Sequence, residues 1–421
     1  MKPKTKVLFL LGGLPHYFTL LLNKMNGLNK MNGQNKMNSR EELEVMLAMP
    51  GKRGTTLGSG VHESREGIDF KLFELEERRA WYGKAAFGKL RRLLKQEKPD
   101  ILVVGWPYIL QFFFDPLLPR FLRKNKIKLI YRDIPFNMPP YGKAGFYFRS
   151  QQIRNEAGQA GQKKGTKAYW SFLLLTEIRK RYLHMADALI FYADSAYELM
   201  TTYGIPRERI FITANSPDTD RLLATFEQVR QQPEILPPNP HRLIHVGRLV
   251  KWKRVDLILE AVRSLQDRYP QIELVVVGFG PEEAALKQQA ESLGIAGRVT
   301  FTGGVYDEVL LGQYLHASAV YVLAGMGGLS INDAMCFAKP VICSEADGTE
   351  RRLVREDING KYFENGDAAD LARKISFFLE DPARTRNFGE NSLKIIREEI
   401  NIHTVLQEYR RAFHYAVSKG R

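Results

Sequence analysis

An α/β protein of two parallel-sheet domains facing each other across a cleft is what this chain of 421 residues predicts. Three observations carry that expectation. Short apolar runs rich in Val, Ile and Leu alternate with helical patterns along the whole length, the mark of strand–helix units in parallel sheets. The alternation is interrupted at residues 231–240, where four prolines fall within eight residues, and then restarts. Hydrophobic residues make up 44% and charged residues 26%, which excludes a disordered chain and supplies two cores at an ordinary domain size.

The elements follow in order. Residues 1–11 pair a short basic start with an apolar run. Gly12-Gly13-Leu14-Pro15 follows, with no small-residue cleavage site, so a first strand at 6–11 is expected rather than a signal peptide. Residues 23–40 repeat a six-residue Asn-Lys-Met-Asn unit three times. The unit is too short and polar for a solenoid and reads as an expansion within a surface loop. Further strands are expected at 44–48, 68–73, 101–104, 128–132, 188–192 and 210–213. Beyond the proline-rich linker they fall at 242–246, 273–277, 299–302, 319–323 and 340–343. The domains are therefore 1–230 and 241–395, joined by 231–240. Residues 396–421 form a helical tail expected to pack back on the first domain.

Charge is distributed unevenly. The net charge is +15; residues 1–240 carry 38 basic and 23 acidic side chains, and residues 241–421 carry 24 of each. The basic half interleaves cations with aromatics, at 108–128 and again at 141–182. Apolar anchors beside Lys and Arg suit an anionic membrane surface. They would also suit single-stranded nucleic acid, but no RNA-recognition or zinc-finger signature accompanies them, so no nucleic-acid partner is expected. No apolar run reaches the ~18 residues of a membrane span, so the expected place is the cytoplasm, peripherally on the inner face of the cell membrane. Cys336 and Cys343 are the only cysteines and lack zinc spacing, so they read as buried free thiols.

The chemistry gathers at strand ends of the second half. Strand 242–246 runs into Gly247-Arg248, with Lys253 five residues on, at the start of a helical stretch. A glycine turn, a helix start and two cations make an anion site of a size for a diphosphate. Strand 273–277 runs into Gly278-Phe279-Gly280, a shortened glycine turn without the third glycine of a dinucleotide fingerprint. Strand 299–302 ends in Gly303-Gly304-Val305. Strand 319–323 leads to Gly325-Met326-Gly327-Gly328-Leu329-Ser330 and a helix beginning Asn332-Asp333. Backbone amides of such turns cradle phosphate or sugar oxygens. Asp218-Thr219-Asp220 is a spacing that could share a hard cation, though Asp is equally ordinary in turns.

From Arg242 to about Glu390 the chain resembles the retaining, family 4 glycosyltransferases of GT-B fold, two Rossmann-like domains across a cleft. The resemblance lies in His245-Val246-Gly247-Arg248-Leu249-Val250 with Lys253, Val277-Gly278-Phe279-Gly280-Pro281, Val299-Thr300-Phe301-Thr302-Gly303 and Ala334-Met335 with Lys339-Pro340-Val341-Ile342. Gly348-Thr349-Glu350 and Asn359-Gly360 continue it. In the first half it is thinner, with Gly12-Gly13, Ala186-Asp187-Ala188 and Asn215-Ser216-Pro217-Asp218.

The resemblance implies a sugar transferred from a nucleotide-diphosphate sugar with retained anomeric configuration, by a metal-independent, hexosyltransferase-type enzyme that needs no cofactor. It implies that Arg248 and Lys253 hold the donor diphosphate. The donor contacts would come from Gly12, Gly13, Gly247, Gly278, Gly280, Val305, Gly327, Gly328, Leu329 and Ser330. Of two family carboxylates eight apart, the second, at the ribose, is here Asp333; the first is Gly325, which has no side chain. A family His after strand 128–132 is replaced by Arg132-Asp133, which makes Asp133 a candidate near the transferred sugar, with His16 a lesser one. The acceptor expected from the basic half is a glycan or lipid-linked group in cell-envelope polysaccharide synthesis. A catalytically impaired nucleotide-sugar-binding protein is the alternative that Gly325 raises. A dinucleotide oxidoreductase is opposed by the missing third glycine and the lack of a ribose-binding acid ~20 residues on.

Overall fold

The computed structural model describes residues 4–27, 42–52, 65–134, 138–149, 165–214, 216–346 and 348–419. The chain forms two compact units, the first running to Thr213 and resuming at Val405–Arg421, the second covering Ala214–Thr404. Most of the 23–40 repeat, together with Lys163, Lys164 and Asn215, lies outside the described residues.

The first unit contains β1 (Thr5–Leu10), β2 (Leu43–Pro50), β3 (Lys71–Leu75), β4 (Glu77–Arg79), β5 (Ala85–Phe87), β6 (Ile101–Val104), β7 (Lys128–Asp133), β8 (Ala188–Phe191) and β9 (Ile210–Ile212). Seven of these make one sheet in the order β3-β2-β1-β6-β7-β8-β9. Every pairing in it is parallel. β4 and β5 pair antiparallel as a separate hairpin. The inner strands are buried along nearly their full length, as continuous apolar runs in a two-faced sheet require.

The second unit holds β10 (Arg242–Val246), β11 (Glu273–Val277), β12 (Val299–Gly303), β13 (Val320–Leu323), β14 (Val341–Cys343) and β15 (Gly360–Tyr362). These form a six-stranded sheet ordered β12-β11-β10-β13-β14-β15, again wholly parallel. Strand order reverses between β1 and β6 in one sheet and between β10 and β13 in the other. Such switch points are where open α/β sheets bind ligands, beyond the strands' carboxyl ends.

Two features differ from the sequence expectation. β15 and the β4–β5 hairpin were not anticipated, because three-residue strands such as Gly-Lys-Tyr or Glu-Arg-Arg carry no apolar run. The switch of units falls at Thr213/Ala214 rather than at residues 231–240. The helix Thr219–Val229 already packs in the second unit, with Phe226 edge-on to Phe337 at 5.4 Å and Arg221 paired with Glu308 at 2.6 Å. The proline-rich stretch belongs to that unit too. Buried Arg242 donates to the Pro237 carbonyl and to Glu273, each at 2.8 Å. The last residues return to the first unit, where Tyr409 and Phe413 pack on Phe9 with ring centroids 6.2 and 6.4 Å away.

Candidate functional site

At the second unit's switch point, the turn after β10 meets the loop after β13. Gly247 carries the chain out of β10, and the short 3-10 helix Lys251–Lys253 folds back beneath it. Lys253 is only 7% exposed and its Nζ donates to the Gly327 carbonyl at 2.7 Å. A Cβ on Gly247 would stand 3.6 Å from Lys253 Cε, and one on Gly328 would stand 3.2 Å from Nζ. One ammonium is thus fixed between both glycine turns, with the N–H of Met326 tied to the Trp252 carbonyl at 3.0 Å. Arg248 is half-buried, its guanidinium 5.9 Å from the Trp252 ring. The structure therefore brings Gly247, Arg248, Lys253, Gly327 and Gly328 into one cationic, glycine-lined corner, which can neutralise a diphosphate.

His245, at the base of that corner, is next to last in β10, the first strand of the second sheet. It is fully buried, and its Nδ1–H donates to the Val322 carbonyl of β13 at 3.0 Å. Burial first, then the neighbouring Lys253 charge, push its pKa down to about 4, against the bond to Val322. The imidazole is neutral and binds the two switch-point strands together.

Gly278 and Gly280 have a packing reason that the sequence does not display. A Cβ on Gly278, whose φ is +145°, would lie 1.8 Å from the Gly247 carbonyl oxygen, and one on Gly280 would lie 2.2 Å from that of Leu249. The three strand ends are laced by backbone bonds, Gly247 N to Val277 O, Leu249 N to Phe279 O and Gly278 N to Gly303 O. These glycines let the β10 and β11 turns touch. Val305 is half-buried and packs on the core beneath them.

The helix Ser330–Cys336 follows the glycine loop, and Leu329 stands at its N-cap. Ser330 Oγ accepts from buried Tyr321 at 2.7 Å. Burial, followed by the charge of Glu308, raises Asp333 to about 7, so its carboxyl titrates near neutrality. The absent carboxylate at 325 is a matter of backbone, since a Cβ there would meet the Trp252 carbonyl at 2.1 Å. Other motif residues are structural. Buried Glu350 accepts from the N–H groups of Ala346 and Gly348, and buried Asn359 donates to Leu353 O. Asp218 caps the helix Thr219–Val229, and Asp220 pairs with His403 at 2.9 Å. Cys336 and Cys343 are buried and free.

The remaining candidates lie in the first unit. Gly12 and Gly13 follow β1 at its switch point, and His16 starts the next helix, exposed. Asp133 ends β7; its carboxylate takes the Tyr131 hydroxyl and, at 2.8 Å, the Ile134 N–H. Burial raises its pKa against those bonds and against Arg179 and Arg132. The basic-aromatic stretch at 108–128 is corrected here. Tyr108, Ile109, Leu110, Phe112, Leu118 and Leu122 are core, because they cover the sheet. Within 108–128 Leu117 stays exposed, and in the second stretch Phe146, Trp170 and Leu174 are exposed. No helix among the described residues is long and apolar enough to cross a membrane.

Residues 227–395 match the glycosyl transferases group 1 family. An uncharacterized glycosyltransferase of Methanocaldococcus jannaschii is 31% identical, over 43% of this chain and 46% of its own. A D-inositol 3-phosphate glycosyltransferase of Catenulispora acidiphila is 29% identical, over 50% and 52%. The match thus spans about half the length of these curated relatives. In fold, the chain resembles the HepE protein of Anabaena, solved in complex with UDP, with TM-score 0.64, 17% identity, and coverage of 97% of this chain and 99% of that one. The corner built by Gly247, Arg248 and Lys253 falls inside the residues that match the glycosyl transferases group 1 family, and the two parallel sheets are those of the GT-B fold.

Proposed function

We propose that the protein transfers a sugar, of hexosyl type and with retained anomeric configuration, from a nucleotide-diphosphate sugar to a glycan or lipid-linked acceptor. The observation that carries this reading is Lys253, buried and fixed on the glycine loop beside Arg248. Cleavage of the donor leaves negative charge on the departing diphosphate. Arg248, Lys253 and the backbone amides after β10 and β13 stabilise it without a metal, preorganised before the reaction. Asp333 takes the ribose. Gly12, Gly13 and Asp133 belong to the first unit, which holds the acceptor. UDP in the complex of the Anabaena protein supports a nucleoside diphosphate.

The setting we infer is cell-envelope polysaccharide synthesis, on the cytoplasmic face of the membrane. Trp170 and Leu174 lie one turn apart on the helix Thr166–Met185, 63% and 62% exposed, with Lys167 a turn before. Apolar anchors beside cations favour docking on anionic lipid. The test of the function is a panel of sugar nucleotides screened by thermal shift, then incubated to detect turnover. A ligand of the folded state raises the melting temperature. One donor of the panel should do so in the wild type and fail in Lys253→Ala; no response to any of them would sink the reading.

A second reading keeps donor binding and loses transfer. It is favoured by Gly325, where backbone contact with Trp252 leaves no room for the family's first carboxylate. Binding without turnover would select it.

A further inference from the structure

We propose that Arg132 recognises an oxyanion, a phosphate or carboxylate group, carried by the acceptor. This rests on the reading that the first unit holds the acceptor, and adds that acceptor's chemical class.

Arg132 leaves the carboxyl end of β7 and reaches across the switch point between β1 and β6. Its guanidinium lies 4.4 Å from the Phe18 ring centre, on the helix after β1, and 4.8 Å from that of Tyr192, just beyond β8. Nε donates to the Tyr409 hydroxyl at 2.7 Å. Tyr409 itself is buried against Phe9. The side chain is therefore held by two rings and one hydroxyl, and no carboxylate among the described residues is paired with it. The adjacent carboxylate, Asp133, is already engaged by Tyr131 and the Ile134 N–H.

A second guanidinium strengthens the case. Arg179 is 7% exposed, and its Nη1 is buried with no hydrogen-bond partner among the described residues. Its neighbours are tyrosines, Tyr182 accepting from Nε at 3.4 Å. Both guanidinium groups act on the Asp133 carboxylate, so two cations lie near this strand end. Charged groups buried without partners are costly. A rigid fork with free N–H donors matches a carboxylate or phosphate bidentately. The half-buried position of Arg132 leaves it reachable. Tyr409 acts as a positioning residue, turning the fork by holding Nε.

The test uses the full chain and calorimetric titration with inorganic phosphate and with acetate, both at saturating UDP so that the Arg248–Lys253 corner is occupied. Wild type should bind at least one of them saturably, with a Kd on the order of 1 mM. Arg132→Gln should weaken it at least 10-fold and Arg132→Lys by less, because lysine keeps the charge and loses the fork. Tyr409→Phe should cost about 3- to 10-fold while the UDP affinity and melting temperature stay put. A chain that fails to bind UDP sinks the donor reading, and the same titrations then run without it. Neither anion binding, or equal binding in Arg132→Gln and Arg132→Lys, overturns the proposal. Glycerol 3-phosphate and phosphatidylglycerol vesicles then tell a soluble ester from a lipid headgroup. The one whose affinity falls in Arg132→Gln is the source, and a fall in neither overturns the proposal.

Discussion

Each unit fixes a cation at the carboxyl ends of the strands of its parallel sheet, and the two do so by opposite means. In the second, Lys253 is held by backbone: a carbonyl accepts its ammonium and two glycine turns clear the space around it. In the first, Arg132 is held by side chains: two aromatic rings and a hydroxyl 277 positions along the chain. A backbone-built site demands glycine and therefore writes itself locally into the sequence. A side-chain-built site demands only that distant residues meet, and leaves no local mark.

The largest expected effect tests how far the second site depends on bare backbone. Gly280→Ala forces a methyl group to 2.2 Å from the Leu249 carbonyl, and Gly278→Ala adds a positive φ to a closer clash. Each should destabilise the protein by about 3 kcal/mol or more. Gly303 has a φ of +72° but open space around it, so Gly303→Ala should cost only about 1 kcal/mol. Urea unfolding of the three variants checks the ranking. Equal costs would mean that conformation, not the contact between turns, selects these glycines.

Next in size is the cation itself. Lys253→Met keeps the stem and removes the charge, so nucleoside diphosphate affinity should fall by about 1.5–3 kcal/mol. Arg248→Ala should fall within the same range, and Arg132→Gln should leave that affinity unchanged. Titration of UDP into the three proteins decides. If the first-unit variant loses as much as Lys253→Met, the two cations do not serve separate ligands.

Docking contrasts the units by charge. Residues 214–404 carry 22 basic and 27 acidic side chains and the rest of the chain 40 and 20, so binding to anionic vesicles should depend on the first unit. Each cation at such a surface contributes about 1 kcal/mol, and salt screens it. Trp170→Ser with Leu174→Ser should remove the salt-resistant part of sedimentation with vesicles, whereas Phe112→Ser would only injure the core, since Phe112 is fully buried. Undiminished sedimentation of the double variant at high salt would move the surface elsewhere.

The same division explains what the sequence made legible. Strands β10 and β11 appear at their full length in the apolar runs, and Gly247, Arg248 and Lys253 are adjacent enough to read as one site. The boundary is not legible in the sequence, because clustered prolines resemble a linker while Phe226 and Arg221, which anchor the preceding helix, look like ordinary helix residues. The aromatic run at 108–114 looked like a surface because basic residues follow it. Only the sheet it covers distinguishes core from anchor. His245 and Tyr409 carried no signal, since each acts through a partner on another strand or at the far end of the chain.

The smallest expected effect concerns Asp333, whose role combines both modes: it sits on a helix after the glycine loop yet is tuned by side-chain surroundings. Burial, then Glu308, raises its folded pKa to about 7 from the ordinary 3.8. An acid with a raised folded pKa binds more protons folded than unfolded between those two values. Its contribution to stability therefore falls as pH rises from about 4 to about 7, and Asp333→Asn should flatten that part of the stability profile. The same titration should appear in the ligand. If Asp333 holds the ribose as proposed, the ionised carboxylate would accept from ribose hydroxyls above pH 7, and below it one oxygen would carry the proton. Preference for UDP over its 2′-deoxy analogue should grow about 2- to 5-fold between pH 6 and 8, the size of a single hydrogen bond to a partly charged acceptor. Asp333→Asn should show a smaller preference with no pH dependence. A wild type that does not distinguish the two nucleotides at pH 8 would leave Asp333 without the ribose. Discrimination that persists unchanged in the asparagine variant would place the reader of the 2′-hydroxyl elsewhere in the glycine loop.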